Sequence, residues 1–269
     1  MQLTRNHSNI PFRLYEVPCG EPSRDRESKM NSQTTNLFLS SLSAVSYEFL
    51  TSRSVSAELP LHTVLYEEES TPRFAYFLTA GLASVVTPMS NGELVEVGFI
   101  GHEGVVGGLQ LLGPASIQTR CMMQLSGSAL RIPYIDLQQA YRSFDDVHAR
   151  ILEFVQEHAV MLGQIAGCNR LHNAEQRLIR WLLTAQDRTQ ADVLKFTHEY
   201  LAEMIASQRT TITLIARDLQ DRGFITYSRG TIVILNRSGL EGMACDCYAI
   251  TKRLYSGLYG RDATIIAPT

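Results

Sequence analysis

The chain has 269 residues and a formal net charge of −3, so it is long enough for two modest domains and is not a polycation. Any hold on nucleic acid must then come from a local basic surface rather than from bulk charge. No apolar run approaches the roughly 18 residues of a membrane span, and residues 1–30 hold no apolar signal-peptide core, so the expectation is a cytoplasmic chain with no membrane segment.

Residues 1–35 show no hydrophobic period and read as an N-terminal tail. From Asn36 to Leu50, the spacing of Leu37, Phe38, Leu42, Val45 and Phe49 predicts a short helix. Residues 58–135 change texture. They consist of short apolar or alternating runs (64–66, 74–78, 82–87, 94–100, 120–125, 129–132) separated by turn residues, which predicts a small barrel or sandwich. Asn91-Gly92 favours a tight hairpin turn, because both central positions need positive φ. The acidic run Glu67-Glu68-Glu69 reads as a solvated hairpin tip.

At Pro133 the period switches to helical, and Tyr134 to about Asn169 is predicted as one long helix. Ile151, Phe154, Val155, His158, Met161, Leu162 and Ile165 recur at three- and four-residue spacing, and Leu152, Ala159 and Ala166 add a second apolar stripe. A helix apolar on two faces must bury both. One can cover the β domain, and a symmetry-related copy of the same helix is the economical cover for the other, with the seven-residue set assigned to a homodimer interface. A further helix is expected over residues 174–185, carrying Leu178, Trp181, Leu182 and Leu183, with a loop over residues 187–192.

The strongest pattern lies at residues 196–235. Thr197 is placed to cap a short helix whose buried positions are Leu201, Ala202, Met204 and Ile205. After the turn Ala206-Ser207, a second helix runs from Gln208 to Asp221 with Ile212, Ile215, Ala216 and Leu219 inward, and Gly223 ends it. Residues 224–227 and 231–235 make a hairpin about Ser228-Arg229-Gly230. Two short helices, a tight turn and a hairpin compose a winged helix-turn-helix. Its second helix presents Gln208, Arg209, Thr210, Thr211 and Thr213 near an N-terminus, where phosphate is favoured and where Gln and Arg are suited to adenine and guanine. Residues 195–237 hold six basic and four acidic side chains, a local excess of +2. Thr197, His198, Arg217 and the wing's Arg229 complete the candidate double-stranded DNA contacts.

The five cysteines, Cys19, Cys121, Cys168, Cys245 and Cys247, are odd in number and scattered, which argues against a disulfide framework. Cys245-Asp246-Cys247 reads as packing of the C-terminal turn. His102 and His158 have no second His or Cys at ligand spacing and are taken as a turn residue and a helix-interface residue, so no metal is expected. Catalysis is not expected either. Only His62 and His102 occur between residues 58 and 135, too few for a metal-dependent barrel enzyme, and nucleophile-elbow, zincin and phosphate-loop motifs are absent.

Taken in order, the parts resemble the Crp/Fnr family of regulators. Two segments carry the resemblance: Gly98-Phe99-Ile100-Gly101-His102-Glu103-Gly104, similar to the family's glycine-and-glutamate turn, and the run from Thr197 to Ile225, with Arg209 where a base-reading Arg usually stands. Thr210 stands where many members have Glu. The resemblance implies an α+β chain with a jelly-roll-like β-roll of the cyclic-nucleotide-binding type, a long dimerisation helix and a C-terminal winged helix-turn-helix. The corresponding division is an N-terminal tail (1–35), a roll (36–135), a dimerisation helix (136–170), a DNA-binding head (171–248) and a C-terminal tail (249–269). It also implies a candidate ligand pocket at Gly101, Glu103, Gly104, Ile117, Gln118 and Arg120. The family's phosphate-binding Arg falls on Ile117-Gln118, and Arg120 is off register, so neither cyclic AMP in the usual mode nor another cofactor is expected. With Cys19 as the one N-terminal cysteine, the family's iron–sulfur sensor is not expected either. The function implied is a homodimeric, sequence-specific transcriptional regulator, in which the acidic run or the turn at Gly101–Gly107 offers a contact for RNA polymerase. A sensor that acts on a protein partner without DNA is the alternative.

Overall fold

Asn36 opens the chain's first element in the computed structural model, which describes residues 36–90, 94–113 and 117–260. The expected N-terminal tail and the Asn91-Gly92 turn lie outside the described residues. Asn36 Oδ1 accepts from the Leu39 N–H at 3.0 Å and caps α1 (Leu37–Ser40), while its Nδ2 donates to the carbonyls of Leu78 and Gly104. Ser43 caps a separate helix, α2 (Ala44–Thr51), so the single helix expected over residues 36–50 is broken in two by a serine that takes up the backbone N–H of Ser46.

The roll is built from β1 (Val55–Leu59), β2 (Val64–Tyr66), β3 (Phe74–Pro88), β4 (Leu94–Ile100), β5 (Val105–Val106) and β6 (Arg120–Pro133). All pairings are antiparallel. The order is β1-β6-β3-β4, with β2 also on β6 and β5 also on β3. β3 and β6 are each one long strand where the sequence suggested two. Their register shifts between Leu78 and Ala83, at Gly81 (φ 86°), opposite Gly127. A Cβ on Gly127 would run into the Ala80 carbonyl. These glycines are bulge positions that bend a continuous ribbon, not turns that end it. Phe77, Leu78, Val85, Ile100, Val105, Met123 and Ile132 fill the roll's core.

The long helix also divides, at Phe144, whose backbone is extended (φ −125°, ψ 116°), into α3 (Tyr134–Ser143) and α4 (Asp145–Leu171). Asp146 in the first turn of α4 accepts from the Ser43 N–H at 2.8 Å and the Ser46 hydroxyl at 2.6 Å, so the break ties the helix to α2. The face assignment on α4 is corrected. Ile151, Phe154, His158, Met161 and Ile165 are buried within their own chain, and Val155 and Leu162 are half-buried. The bulkier stripe covers the roll, because that face has the most apolar area to remove from water. Leu152, Ala159 and Ala166 remain exposed.

Asn173 and Gln176 form a capping box at the start of α5 (Ala174–Thr189), which runs through the loop expected from residue 187. Then come β7 (Val193–Lys195), α6 (His198–Met204), α7 (Arg209–Asp221), β8 (Ile225–Ser228) and β9 (Thr231–Ile234), with sheet order β7-β9-β8. α8 (Arg237–Met243) and α9 (Asp246–Gly257) follow, then a 3-10 turn, Leu258–Gly260. The C-terminal tail expected from residue 249 is thus helical as far as residue 257. α9 returns to pack on α4 and α5, and the Tyr259 hydroxyl donates to the Glu103 carbonyl at 2.8 Å.

Two buried polar clusters join the head to the rest. Arg188, in the last turn of α5, places Nη1 2.6 Å from Glu103 Oε1 of the roll and Nη2 2.5 Å from Glu157 Oε1 of α4, and all three side chains are at most 3% exposed. The Arg188 carbonyl meets His102 Nδ1 at 2.7 Å. Burial, with Glu103 nearby, pushes the Glu157 carboxyl upward in pKa against the pull of Arg188. In the second cluster, Glu96 of β4 accepts from Trp181 Nε1 of α5 at 2.8 Å, from Gln124 Nε2 at 2.8 Å and from the Ser84 hydroxyl at 2.9 Å. Burial raises its pKa from 4.5 to about 7. Trp181 lies edge-on to both Phe99 of the roll and Phe196 of the head, so one apolar cluster crosses the junction.

Removing the cation should be costly. Arg188→Met leaves two buried carboxylates facing each other and is expected to cost about 3–5 kcal/mol in urea unfolding, while adding Glu103→Gln and Glu157→Gln recovers most of it. A triple variant no more stable than Arg188→Met would contradict this account.

For Glu96 the folded pKa is raised, so its stabilising contribution is fully present below the unfolded value and is lost as pH rises through about 7. His158 works the other way, because burial and then Arg188 lower its pKa to about 4, so its contribution is lost as pH falls from 6.5 toward 4. The difference between Glu96→Gln and the native chain therefore isolates Glu96. It should grow in the variant's favour between about pH 5 and about pH 8, by at most on the order of 3 kcal/mol. Parallel stability curves over that range would refute it.

Candidate nucleic-acid interface

Local chemistry builds the reading surface. Thr197 is the N-cap of α6, its hydroxyl accepting from the Tyr200 N–H at 3.2 Å. The turn to α7 passes through Ala206, which takes a left-handed φ of 49°. Gln208, expected to open the second helix, is its N-cap residue instead, and its side chain makes no capping bond. α7 ends in a Schellman arrangement. The Phe224 N–H donates to the Leu219 carbonyl and the Gly223 N–H to the Gln220 carbonyl, both at 2.9 Å, with Gly223 at φ 75°.

Ile212, Ala216 and Leu219 bury one face of α7. The opposite face exposes Arg209, Thr210, Thr213, Leu214 and Arg217, with Gln208 before it, while Thr211 is half-buried. The first turn of α7 holds no acidic residue of its own, although Glu199 and Glu203 of α6 line the same hollow as Gln208 and Arg209. Leu214 is 69% exposed, and it was not among the contacts expected on this helix. Its place between Thr210 and Arg217 puts an apolar contact on the reading face, of the kind that meets a thymine methyl. Its signal was available: it lies two positions from both buried Ile212 and buried Ala216, so a helix turns it outward.

The expected contacts are not equally free. His198 Nδ1 meets the Thr213 hydroxyl at 3.0 Å, and that hydroxyl also reaches the Arg209 carbonyl at 3.0 Å. The His198 ring stacks on Tyr227 of β8, with centroids 4.0 Å apart, so His198 and Thr213 brace α6, α7 and the wing against one another. Burial and then the Arg209 charge lower the His198 pKa, which keeps the imidazole neutral and fit for that role. Arg217 lies 3.8 Å from Asp221, both well exposed, a pairing too loose to withdraw it from a ligand. Arg229 stands exposed at the wing tip with φ 48°.

The residues of the expected ligand pocket turn to different partners. Glu103 is buried against Arg188 and accepts from the Gly101 N–H at 2.9 Å. A Cβ on Gly104 would collide with the Phe154 ring. On the other side of the set, the Ile117 carbonyl accepts from the Glu69 N–H, Gln118 Nε2 donates to Glu69, and Arg120 pairs with Glu67 and Glu68 at 2.5 and 3.2 Å. The acidic run is solvated at Glu67 and Glu69, as expected, and Arg120 pairs with Glu67 and Glu68. Gly101, Glu103 and Gly104 face α4 and α5, whereas Ile117, Gln118 and Arg120 face the residues 67–69 turn. A cyclic phosphate needs a cation beside the glutamate, and the cation that stands there is the chain's own Arg188. Sequence reasoning missed Arg188, because it lies 85 residues from its partner (188 − 103) and no motif links them.

Among the described residues no helix is long and apolar enough to cross a membrane. A search of curated proteins finds no match to the chain. Among solved structures, FixK2 from Bradyrhizobium japonicum is similar at a TM-score of 0.61 and 14% identity, over 71% of this chain and 98% of that one. A crp/fnr-family transcriptional regulator from Eubacterium rectale is similar at 0.59 and 15%, over 76% and 95%. CLP, the c-di-GMP-responsive global regulator of Xanthomonas campestris, is similar at 0.57 and 17%, over 71% and 99%. Residues 176–243 match the family described as the Crp-like helix-turn-helix domain. This stretch of the chain is therefore a Crp-like helix-turn-helix domain, and it is set in a chain that has the Crp/Fnr fold.

Proposed function

We propose that the chain is a sequence-specific DNA-binding transcriptional regulator that works as a homodimer. The observation that carries the reading is the exposed face of α7, where Arg209, Thr210, Leu214 and Arg217 lie on a helix whose own first turn holds no acidic residue. α7 enters the major groove, and Arg229 of the wing meets the backbone. The match of residues 176–243 to the Crp-like helix-turn-helix domain supports this assignment.

The exposed stripe Leu152, Ala159 and Ala166, with half-buried Val155 and Leu162 beside it, supports the dimer through α4. Gly163 and Gly167 meet nothing within 4 Å and leave room for a second helix to approach. Two heads must then be held about 34 Å apart to reach successive major grooves. The internal pairing of Glu103 with Arg188 supports a roll that senses by some route other than the glutamate–arginine grip on a cyclic nucleotide.

Footprinting on the DNA upstream of its own gene tests the regulator reading. Arg209→Ala should cost about 1–3 kcal/mol at the base pair it reads and relax sequence preference there. Arg229→Ala should weaken all sequences alike and lower the salt slope by about one. Absence of binding at low salt would discard the reading and leave the roll acting through a protein partner. For the dimer, Ala159→Arg should halve the mass seen in sedimentation without unfolding the chain, and an unchanged mass would place the interface elsewhere.

A further inference from the structure

Four metal-donor side chains converge where α4 ends and α9 begins. Cys168 is in the last turn of α4, His172 is the residue that ends it, Cys245 is the N-cap residue of α9, and Cys247 lies in the first turn of α9. Their ligand atoms all lie within 4.8 Å of one another. Cys168 Sγ and Cys245 Sγ are 3.6 Å apart, and Cys247 Sγ and His172 Nδ1 are 3.6 Å apart. The three thiols are buried in a small cluster of their own, and the histidine is half-buried.

These separations decide between the available chemistries. A tetrahedral zinc with Zn–S of about 2.3 Å and Zn–N of about 2.0–2.1 Å sets two sulfurs about 3.8 Å apart and a sulfur and nitrogen about 3.5 Å apart. The Cys168–Cys245 and Cys247–His172 separations sit close to those values. A cubane iron–sulfur cluster bonds each thiolate to a different iron and holds the thiolates farther apart. A disulfide would bring two sulfurs to about 2.05 Å and leave the other thiol and the imidazole unexplained. Close packing of apolar thiols accounts for the three cysteines but not for an imidazole nitrogen directed at one of them. A three-thiolate zinc site carries one net negative charge, and buried Arg180 lies beside Cys168 to balance it.

We infer that Cys168, His172, Cys245 and Cys247 form a structural zinc site that staples the end of α4 to the start of α9. The staple closes a loop containing the whole DNA-reading head, because α5 to α8 lie between His172 and Cys245. Such a closure restrains the unfolded chain and fixes the head on the long helix. The inference does not depend on DNA binding, and its test reads metal and stability only.

The full chain is purified under reducing conditions without chelator and its metal content measured. The expected result is one zinc per chain. Cobalt(II) exchanged into the site should show tetrahedral d–d absorption and thiolate-to-metal charge transfer. Cys247→Ser should hold well under one zinc and lose a charge-transfer contribution, while Cys121→Ala, whose thiol lies in the roll core, keeps a full complement. Stripping zinc from the native chain should lower its melting temperature, and adding zinc back should restore it. A reduced native chain that holds no zinc and takes up no cobalt overturns the assignment. So does a full zinc complement in Cys247→Ser, iron with acid-labile sulfide, or a Cys168–Cys245 disulfide in the purified chain.

Discussion

The arrangement of roll, helix and head turns on the guanidinium of Arg188. It is the one cation of a buried set whose two carboxylates come from the other two parts of the chain, Glu103 from the roll and Glu157 from α4. Taking such charges out of water costs several kcal/mol per ion, so the set adds little net stability over an apolar core of equal volume. What it adds is direction. Apolar surfaces tolerate sliding, but a planar fork between two carboxylates has one satisfactory position. Neighbouring contacts follow from that position: the His102 ring at the Arg188 carbonyl, Tyr255 under the guanidinium at 4.8 Å, and Tyr259 on the Glu103 carbonyl.

A second consequence concerns motion. Trp181 joins the roll and the head in one apolar cluster and donates to Glu96, so α5 is held at both ends of its buried face. Turning the head away from the roll would expose that cluster to water and separate Arg188 from at least one carboxylate. Both losses would fall together, which disfavours intermediate tilts of the head. The reading face of α7 is not part of the junction. It stays exposed in the docked arrangement, which lets the junction set the direction of the recognition helix without covering it.

What the sequence made legible was local. Thr197 as a cap, Gly223 as a helix terminator, and the burial of Ile212, Ala216 and Leu219 all follow from spacings within one or two turns, and each agrees with the structure. The errors concern partners far away in the chain. Gly81 and Gly127 look like turns until β3 and β6 are seen to pair across them. The periodicity of α4 revealed two apolar stripes but not which one faces its own roll, since periodicity names faces and not neighbours. Gln208 lies one residue outside its helix, an uncertainty common to all helix ends. Cys168 and His172 are four residues apart, a spacing that puts two ligands on one helical face. The pair escaped notice because its other half lies beyond the head, at Cys245 and Cys247.

The same distinction bears on the roll's glycine-and-glutamate turn. Its sequence marks Glu103 as a special position, and the structure agrees, but for a different reason. In a roll that grips a cyclic phosphate, the turn's glutamate and a nearby arginine serve a ligand from outside. Here Glu103 is paired within the chain, by a guanidinium that rises from the base of the head and also binds α4. An anion arriving at this turn would have to compete with two carboxylates already paired to the only cation that reaches it among the described residues. The charge arithmetic is unfavourable to such a ligand and favourable to the docked head.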